Sequence, residues 1–374
     1  PRTPTCHPHD IKRSYPQDQD KGSWAMRRDL PNLTLDGGRV LHGGVLRDGA
    51  VGIGSGLICE PGAPRVDVTG YAVLPGAVDI GGKVTPGKAD GRGLHRLATG
   101  AAMAGTTTLF VEQAADAERS EARSAEVNEV RYCPDILERL VIGSHEAKDI
   151  TAVSTQLDAR CPSAATFSHP SDAQRRRIEA QEGGFGAIAR RLANLAAALD
   201  DRGVSYGSDG DVTAETREWM SMIGARMVLR PASRKAAATA RAMGEPVILS
   251  ATDILTGGTV RRGMAAALLG EGMCDALGSF GAPDAALRAV TALVSSGRMS
   301  LGHTWALISS APAGIMGLSD RGGLVVGTRA DVVLMELASL KVAATVTGGR
   351  LIYADAGIQT RLGAVFCPEA LAAE

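Results

Sequence analysis

The quartet Ser208-Asp209-Gly210-Asp211 places two carboxylates two residues apart at the end of an apolar run. Acids in that spacing suit general-base work or a hard cation. If the run is a strand that continues through them, Asp209 and Asp211 lie on one face and form the candidate catalytic pair. With Asp158, Asp253 or Glu112 at neighbouring run ends they would make an oxygen-only set, open to Mg2+ with substrate phosphates. The same quartet also reads as a strand-to-helix loop, with Asp211 capping a helix that begins near Thr213. A second stretch, Thr256-Gly257-Gly258-Thr259, follows an apolar run and precedes an Ala-rich helix. Its backbone N–H groups and the helix dipole suit a phosphate, with Arg261 and Arg262 close behind, although plain turn chemistry reads equally well. Lys83, after Gly81 and Gly82, adds a positive charge at the end of the run Val73–Ile80. The candidate ligand-binding residues are thus Lys83, Thr256, Gly257, Gly258, Thr259 and Arg261, and no residue is assigned to a metal.

Other reactive types are poorly placed. Of seven histidines, His7 and His9 fall in a polar leader, His42 in a glycine-punctuated segment, and His95 and His303 near helix starts. His145 and His169 remain, and only His169 follows a strand candidate, so an N-rich Zn2+ site is disfavoured. The six cysteines have no C-x-x-C or C-x-x-H spacing and fit a reducing cytoplasm. Gly52-x-Gly54-x-Gly56 lacks the strand before it and the helix after it that a phosphate loop needs. Ser208 has no adjacent base to make it a nucleophile.

The elements that must position these residues follow from the rhythm of the chain. Leu33 to Val73 is short alternating text broken by glycine, the pattern of small antiparallel hairpins. Eight apolar runs then alternate with Ala-rich stretches. They are Val73–Ile80, Thr106–Glu112, Thr151–Leu157, Ala164–Phe167, Val204–Gly207, Ala225–Leu229, Pro246–Ser250 and Cys274–Ser279. Near-continuous apolar strands joined by helices predict a parallel sheet, and eight of them close into a barrel. Alternation and glycine return over Asp320–Asp355. The predicted fold class is α/β: a (β/α)8 TIM-like barrel with a small β-sandwich module formed by both chain ends. The expected boundaries are a disordered leader over 1–29, a composite β-module from 30–73 and 320–356, the barrel over 74–319 and a tail over 357–374.

The 374 residues are 44% hydrophobic and 22% charged with a net charge of -1, so no global excess draws the chain to nucleic acid or an anionic membrane. Arg175-Arg176-Arg177 reads as a solvated helix start, and 3% aromatic residues leave little for base stacking. No run approaches the length of a membrane span.

Two phrases resemble the amidohydrolase superfamily: Val73-Leu-Pro-Gly-Ala-Val-Asp79-Ile80, and Gly323-Leu-Val-Val-Gly327-Thr-Arg-Ala330-Asp331. Arg202–Thr216 and Glu245–Val290 are similar to its phosphonate-degradation branch, α-D-ribose 1-methylphosphonate 5-triphosphate diphosphatase. The resemblance implies metal ligands at the barrel strand ends. Carried over position by position, those ligands fall on Gly81, Lys83, Asp158, Pro162, Asp209 and Phe280, while Asp211 and Thr213 match the pattern. Glycine and phenylalanine supply no ligand atom, and an ammonium repels a cation. The expectation is a barrel that has lost metal-dependent hydrolysis, needs no cofactor, and binds a phosphorylated small molecule or serves as a homo-oligomer or pathway-complex subunit. The alternative is a Mg2+-dependent hydrolase that uses Asp158, Asp209 and Asp211 to release diphosphate.

Overall fold

Two glycine pairs fold the chain ends into hairpins. In the computed structural model, which describes residues 29–84, 93–114, 133–143, 157, 162–168, 185–256 and 260–366, strands β1 (Leu33–His42) and β2 (Val45–Gly54) meet at Gly43-Gly44. Both glycines have positive φ, as a two-residue hairpin turn requires. Gly348-Gly349 does the same between β15 (Val342–Thr347) and β16 (Arg350–Ala354). With β3 (Leu57–Cys59), β4 (Arg65–Asp67), β5 (Tyr71–Pro75) and β14 (Val332–Glu336), these make one eight-stranded sheet, ordered β16-β15-β14-β5-β1-β2-β3 with β4 beside β1. The two chain ends join where β14 runs antiparallel to β5, Leu334 opposite Val73. The segment expected as a tail from 357 forms a helix over Ala356–Phe366, whose Ile358 and Leu362 enter the core of this sheet beside Leu33, Val66 and Val346.

A second sheet holds β6 (Ala77–Gly82), β7 (Thr106–Ala114), β8 (Asp135–Gly143), β9 (Ala164–Ser168), β10 (Ser205–Asp209), β11 (Val228–Leu229), β12 (Val247–Ser250) and β13 (Ala276–Gly278) in sequential order. The pairings from β8 to β12 are parallel, and this is the (β/α)8 barrel expected. β6, β12 and β13 are buried at every position, which is why they read as unbroken apolar runs. The helices that follow the strands include α1 (Gly93–Met103), α2 (Phe185–Asp200), α3 (Ala214–Met222), α4 (Arg234–Ala242), α5 (Ala251–Thr256) and α6 (Val260–Gly270). α7 (Ala285–Ser295), α8 (Leu301–Ala306) and α9 (Ser310–Ile315) come after the last strand. Thr213, Ser233 and Ser300 cap α3, α4 and α8 through their hydroxyls.

Three elements depart from the sequence reading. The third barrel strand is Asp135–Gly143, not Thr151–Leu157; Leu157 is helical and the rest of that run lies outside the described residues. Glu138 and Arg139 in its middle hide the apolar pattern. Asp135 anchors its start by accepting hydrogen bonds from Arg321 and pairing with Arg329. The run Val73–Ile80 divides at Gly76, whose N–H donates to Asp331 O, so that its first half serves the end sheet and its second half the barrel. The run Ala225–Leu229 is a strand only over Val228–Leu229. The expected leader, 1–29, lies outside the described residues except for Asp29.

The chain divides into two compact units, one from residues within 110–129 and 137–277, the other from residues within 17–109, 130–136 and 278–374. Barrel closure is made inside the second. The Phe280 N–H donates to Gly81 O at 3.0 Å, and Asp79 Oδ1 accepts the N–H groups of Gly81 and Ser279 at 2.9 Å each. Asp79 is buried, and an alanine there leaves two buried donors without that acceptor. Asp79→Ala is expected to lower stability by about 2 kcal/mol in urea unfolding, while Asp79→Asn, which keeps Oδ1, costs less.

Candidate functional site

The candidate acids of β10 go to two different places. The strand ends at Asp209, and Gly210 turns the backbone with φ +83°, so Asp209 and Asp211 do not share a strand face. Asp209, 5% exposed, is held bidentately by Arg230: Nε donates to Oδ1 at 2.9 Å and Nη2 to Oδ2. Arg230 is the residue after β11, itself at positive φ. Burial alone would lower the pKa of its guanidinium. Asp209 first, with Glu112 and Asp253 behind it, outweighs burial and holds it above its ordinary value.

Asp211 turns inward and is fully buried. Its Oδ2 accepts from Ser208 Oγ at 2.7 Å and from Arg217 Nη1 at 3.2 Å. Arg217, on α3 and also fully buried, donates to Ser208 Oγ at 2.6 Å, to the carbonyl oxygens of Met227 and Ala225, and pairs through Nε with Glu245 at 3.1 Å. The cap of α3 is Thr213, not Asp211. Asp211 is therefore a structural counter-ion here, with no exposed oxygen for substrate.

Arg139 of β8 is buried and donates to Glu112 at 2.8 Å and to Thr166 Oγ1 of β9 at 2.9 Å. Glu112, Arg139, Asp209 and Arg230 thus come from β7, β8, β10 and the end of β11. Sequence reading missed all three arginines. One signal was available: Arg230 ends the run Met227-Val228-Leu229, where an arginine after a buried strand calls for an acid partner.

In the other unit, Lys83 is exposed just past β6. Gly81 lies against Phe280. A Cβ on Gly81 would stand 2.6 Å from the Phe280 backbone nitrogen and 2.9 Å from the ring, and one on Gly278 would stand 2.7 Å from the same ring. Phe280 is buried, with φ +44°. The space that a β6 side chain would enter is filled by this ring and its backbone.

The proposed phosphate stretch does not open directly from a strand. α5 intervenes between β12 and Gly257, and the Thr256 hydroxyl donates to Thr252 O at 2.6 Å inside that helix. Gly257, Gly258 and Thr259, and the side chain of Arg261, lie outside the described residues, as do Asp158, His145 and His169. Among the described residues, no three His, Cys, Asp or Glu side chains gather as a metal site. No helix among them is long and apolar enough to cross a membrane.

No protein-family model matches the sequence, and no curated protein matches it. Solved structures do match the fold. The β-aspartyl dipeptidase of Fervidobacterium islandicum AW-1 superposes with a TM-score of 0.65 at 14% identity, over 87% of this chain and 97% of that one. A D-hydantoinase gives 0.63 at 14% identity, over 87% and 95%. The ochratoxinase of A. niger gives 0.62 at 15%, over 87% and 96%. The chain shares its barrel and end-sheet fold with these solved structures. The catalytic end of an (β/α)8 barrel is the C-terminal end of its strands. In one unit those ends carry Asp209 clamped by Arg230 and Glu112 clamped by Arg139; in the other, taken by itself, Gly81 lies against Phe280. That donor set does not fit a divalent metal at the described positions, because its acids already neutralise guanidinium groups.

Proposed function

We propose that this chain is an amidohydrolase-fold protein, related to the phosphonate-branch diphosphatase, that binds a phosphorylated small molecule without metal-dependent hydrolysis. The observation that carries the reading is Gly81 beneath Phe280, where even a Cβ would meet the backbone at 2.6 Å. A ligand side chain at that position and Phe280 in its present place exclude each other sterically. Lys83, exposed two residues on, supplies the positive charge that a phosphate would meet. Sequence similarity to the phosphonate branch supports the class of ligand. The free thiols of Cys59 and Cys274 fit work in a reducing cytoplasm.

Two measurements on the full chain test the reading. Protein purified without chelator is expected to contain substoichiometric Zn, Mn and Fe, and to be stabilised thermally by ribose 5-phosphate or inorganic diphosphate, with the shift reduced in Lys83→Ala. Stoichiometric metal, or Mg2+-dependent diphosphate release from a ribose triphosphate that vanishes in Asp209→Ala, would replace this reading with the hydrolase.

A further inference from the structure

We infer that the Arg230 guanidinium takes the cation's place at the strand ends of this barrel, a protein-borne positive charge with Asp209 as its fixed counter-ion. The inference rests on the reading that the metal site is lost, and adds what balances the charge left behind. Three acids are involved: Glu112 near the end of β7, Asp209 at the end of β10 and Asp253 in the first turn of α5. Carboxylates at those positions would repel one another and attract a hard cation if nothing neutralised them. Two guanidinium groups do so instead. Arg139 reaches Glu112 at 2.8 Å, and Arg230 spans both oxygens of Asp209.

The geometry of Arg230 goes beyond a chance surface pair. Asp209 is nearly buried, and the arginine backbone is itself fixed, its N–H donating to Ile248 O of β12 at 2.8 Å. Its φ of +48° is a left-handed conformation that a non-glycine residue adopts only when its surroundings enforce it. Glu112 and Asp253 both favour the charged guanidinium against the effect of burial. A planar, permanently charged fork is suited to this role, because it neutralises two oxygens at once and never gives up its proton. Arg230 is in this sense a positioning residue. It orients Asp209 and removes that carboxylate from use as a metal ligand or a general base.

The test is cation rescue in the full-length protein. Melting temperatures are measured for wild type, Arg230→Ala, Asp209→Asn and the double variant, each with methylguanidinium, with Mn2+ and with NaCl at matched ionic strength. Arg230→Ala is expected to rise by about 3 °C with methylguanidinium or Mn2+ over NaCl, while wild type and the double variant do not respond. A variant weakened only by lost packing would not distinguish these ions from Na+. Absence of any ion-specific rescue in a folded Arg230→Ala overturns the inference. Should that variant fail to fold, Arg230→Gln replaces it: it keeps much of the side-chain volume without the charge, and methylguanidinium or Mn2+ is expected to raise its melting temperature over NaCl, with no rise overturning the inference. Stoichiometric Mn2+ in wild type that is lost in Asp209→Asn would overturn the earlier reading of the site as well, whereas failed rescue alone leaves that reading standing.

Discussion

Arg217→Ala is expected to lower stability by about 4 kcal/mol. Arg217 is 0% exposed, as is Asp211, and Glu245 is 5% exposed. One guanidinium therefore serves two buried carboxylates, the Ser208 hydroxyl and the carbonyl oxygens of Met227 and Ala225. Truncation removes the cation and leaves both acids without it in a medium where an unneutralised charge is costly, besides removing a donor from the carbonyl oxygens of Ala225 and Met227, the latter keeping the Ser208 N–H. The loss is measured by urea unfolding with far-UV circular dichroism. The triple replacement of Arg217, Asp211 and Glu245 by apolar residues of similar volume should recover most of it, since it removes every charge together. A single-variant cost below about 1 kcal/mol would contradict a buried pair and indicate water at the site.

Gly81→His, which puts a ligand type back on β6, is expected to destabilise the chain by about 3 kcal/mol and to leave it without bound metal. The clash begins at Cβ, 2.6 Å from the Phe280 nitrogen and 2.9 Å from its ring. Removing the ring does not cure it, because the nearest obstacle is backbone and that same nitrogen donates the barrel-closing bond to Gly81 O. Gly81→His with Phe280→Ala is therefore expected to remain destabilised and to carry an added cavity cost at the vacated ring. Thermal melts and metal analysis of both variants decide the matter. A double variant as stable as wild type, with one metal per chain, would mean that the β6 site can be restored by two substitutions.

The architecture was legible because its signals are local and redundant. Apolar runs longer than three residues marked most barrel strands, and glycine pairs marked the end-sheet hairpins. The exception is instructive. Asp135–Gly143 escaped notice because Glu138 and Arg139 interrupt it, and Arg139 is tolerated in a buried strand only because Glu112 and Thr166, on the strands either side, satisfy it. Such partners lie 27 residues away in both directions, beyond any local pattern.

The site was less legible than the fold. The resemblance, not residue identity, put expected ligands at Gly81, Lys83 and Phe280; residue identity added only that a glycine or a phenyl ring has no donor atom whatever its surroundings. That Asp209 and Asp211 are unavailable did not follow, because a carboxylate's chemistry depends on its neighbours. The two acids are separated by one glycine at φ +83° and committed to arginines 21 and 6 residues away. Sequence alone determined the barrel, the split end sheet and the missing ligand atoms, because these depend on side-chain type and period. Only the tertiary structure decided which charge neutralises which, because ion pairing is set by distance in space and chain order carries no trace of it.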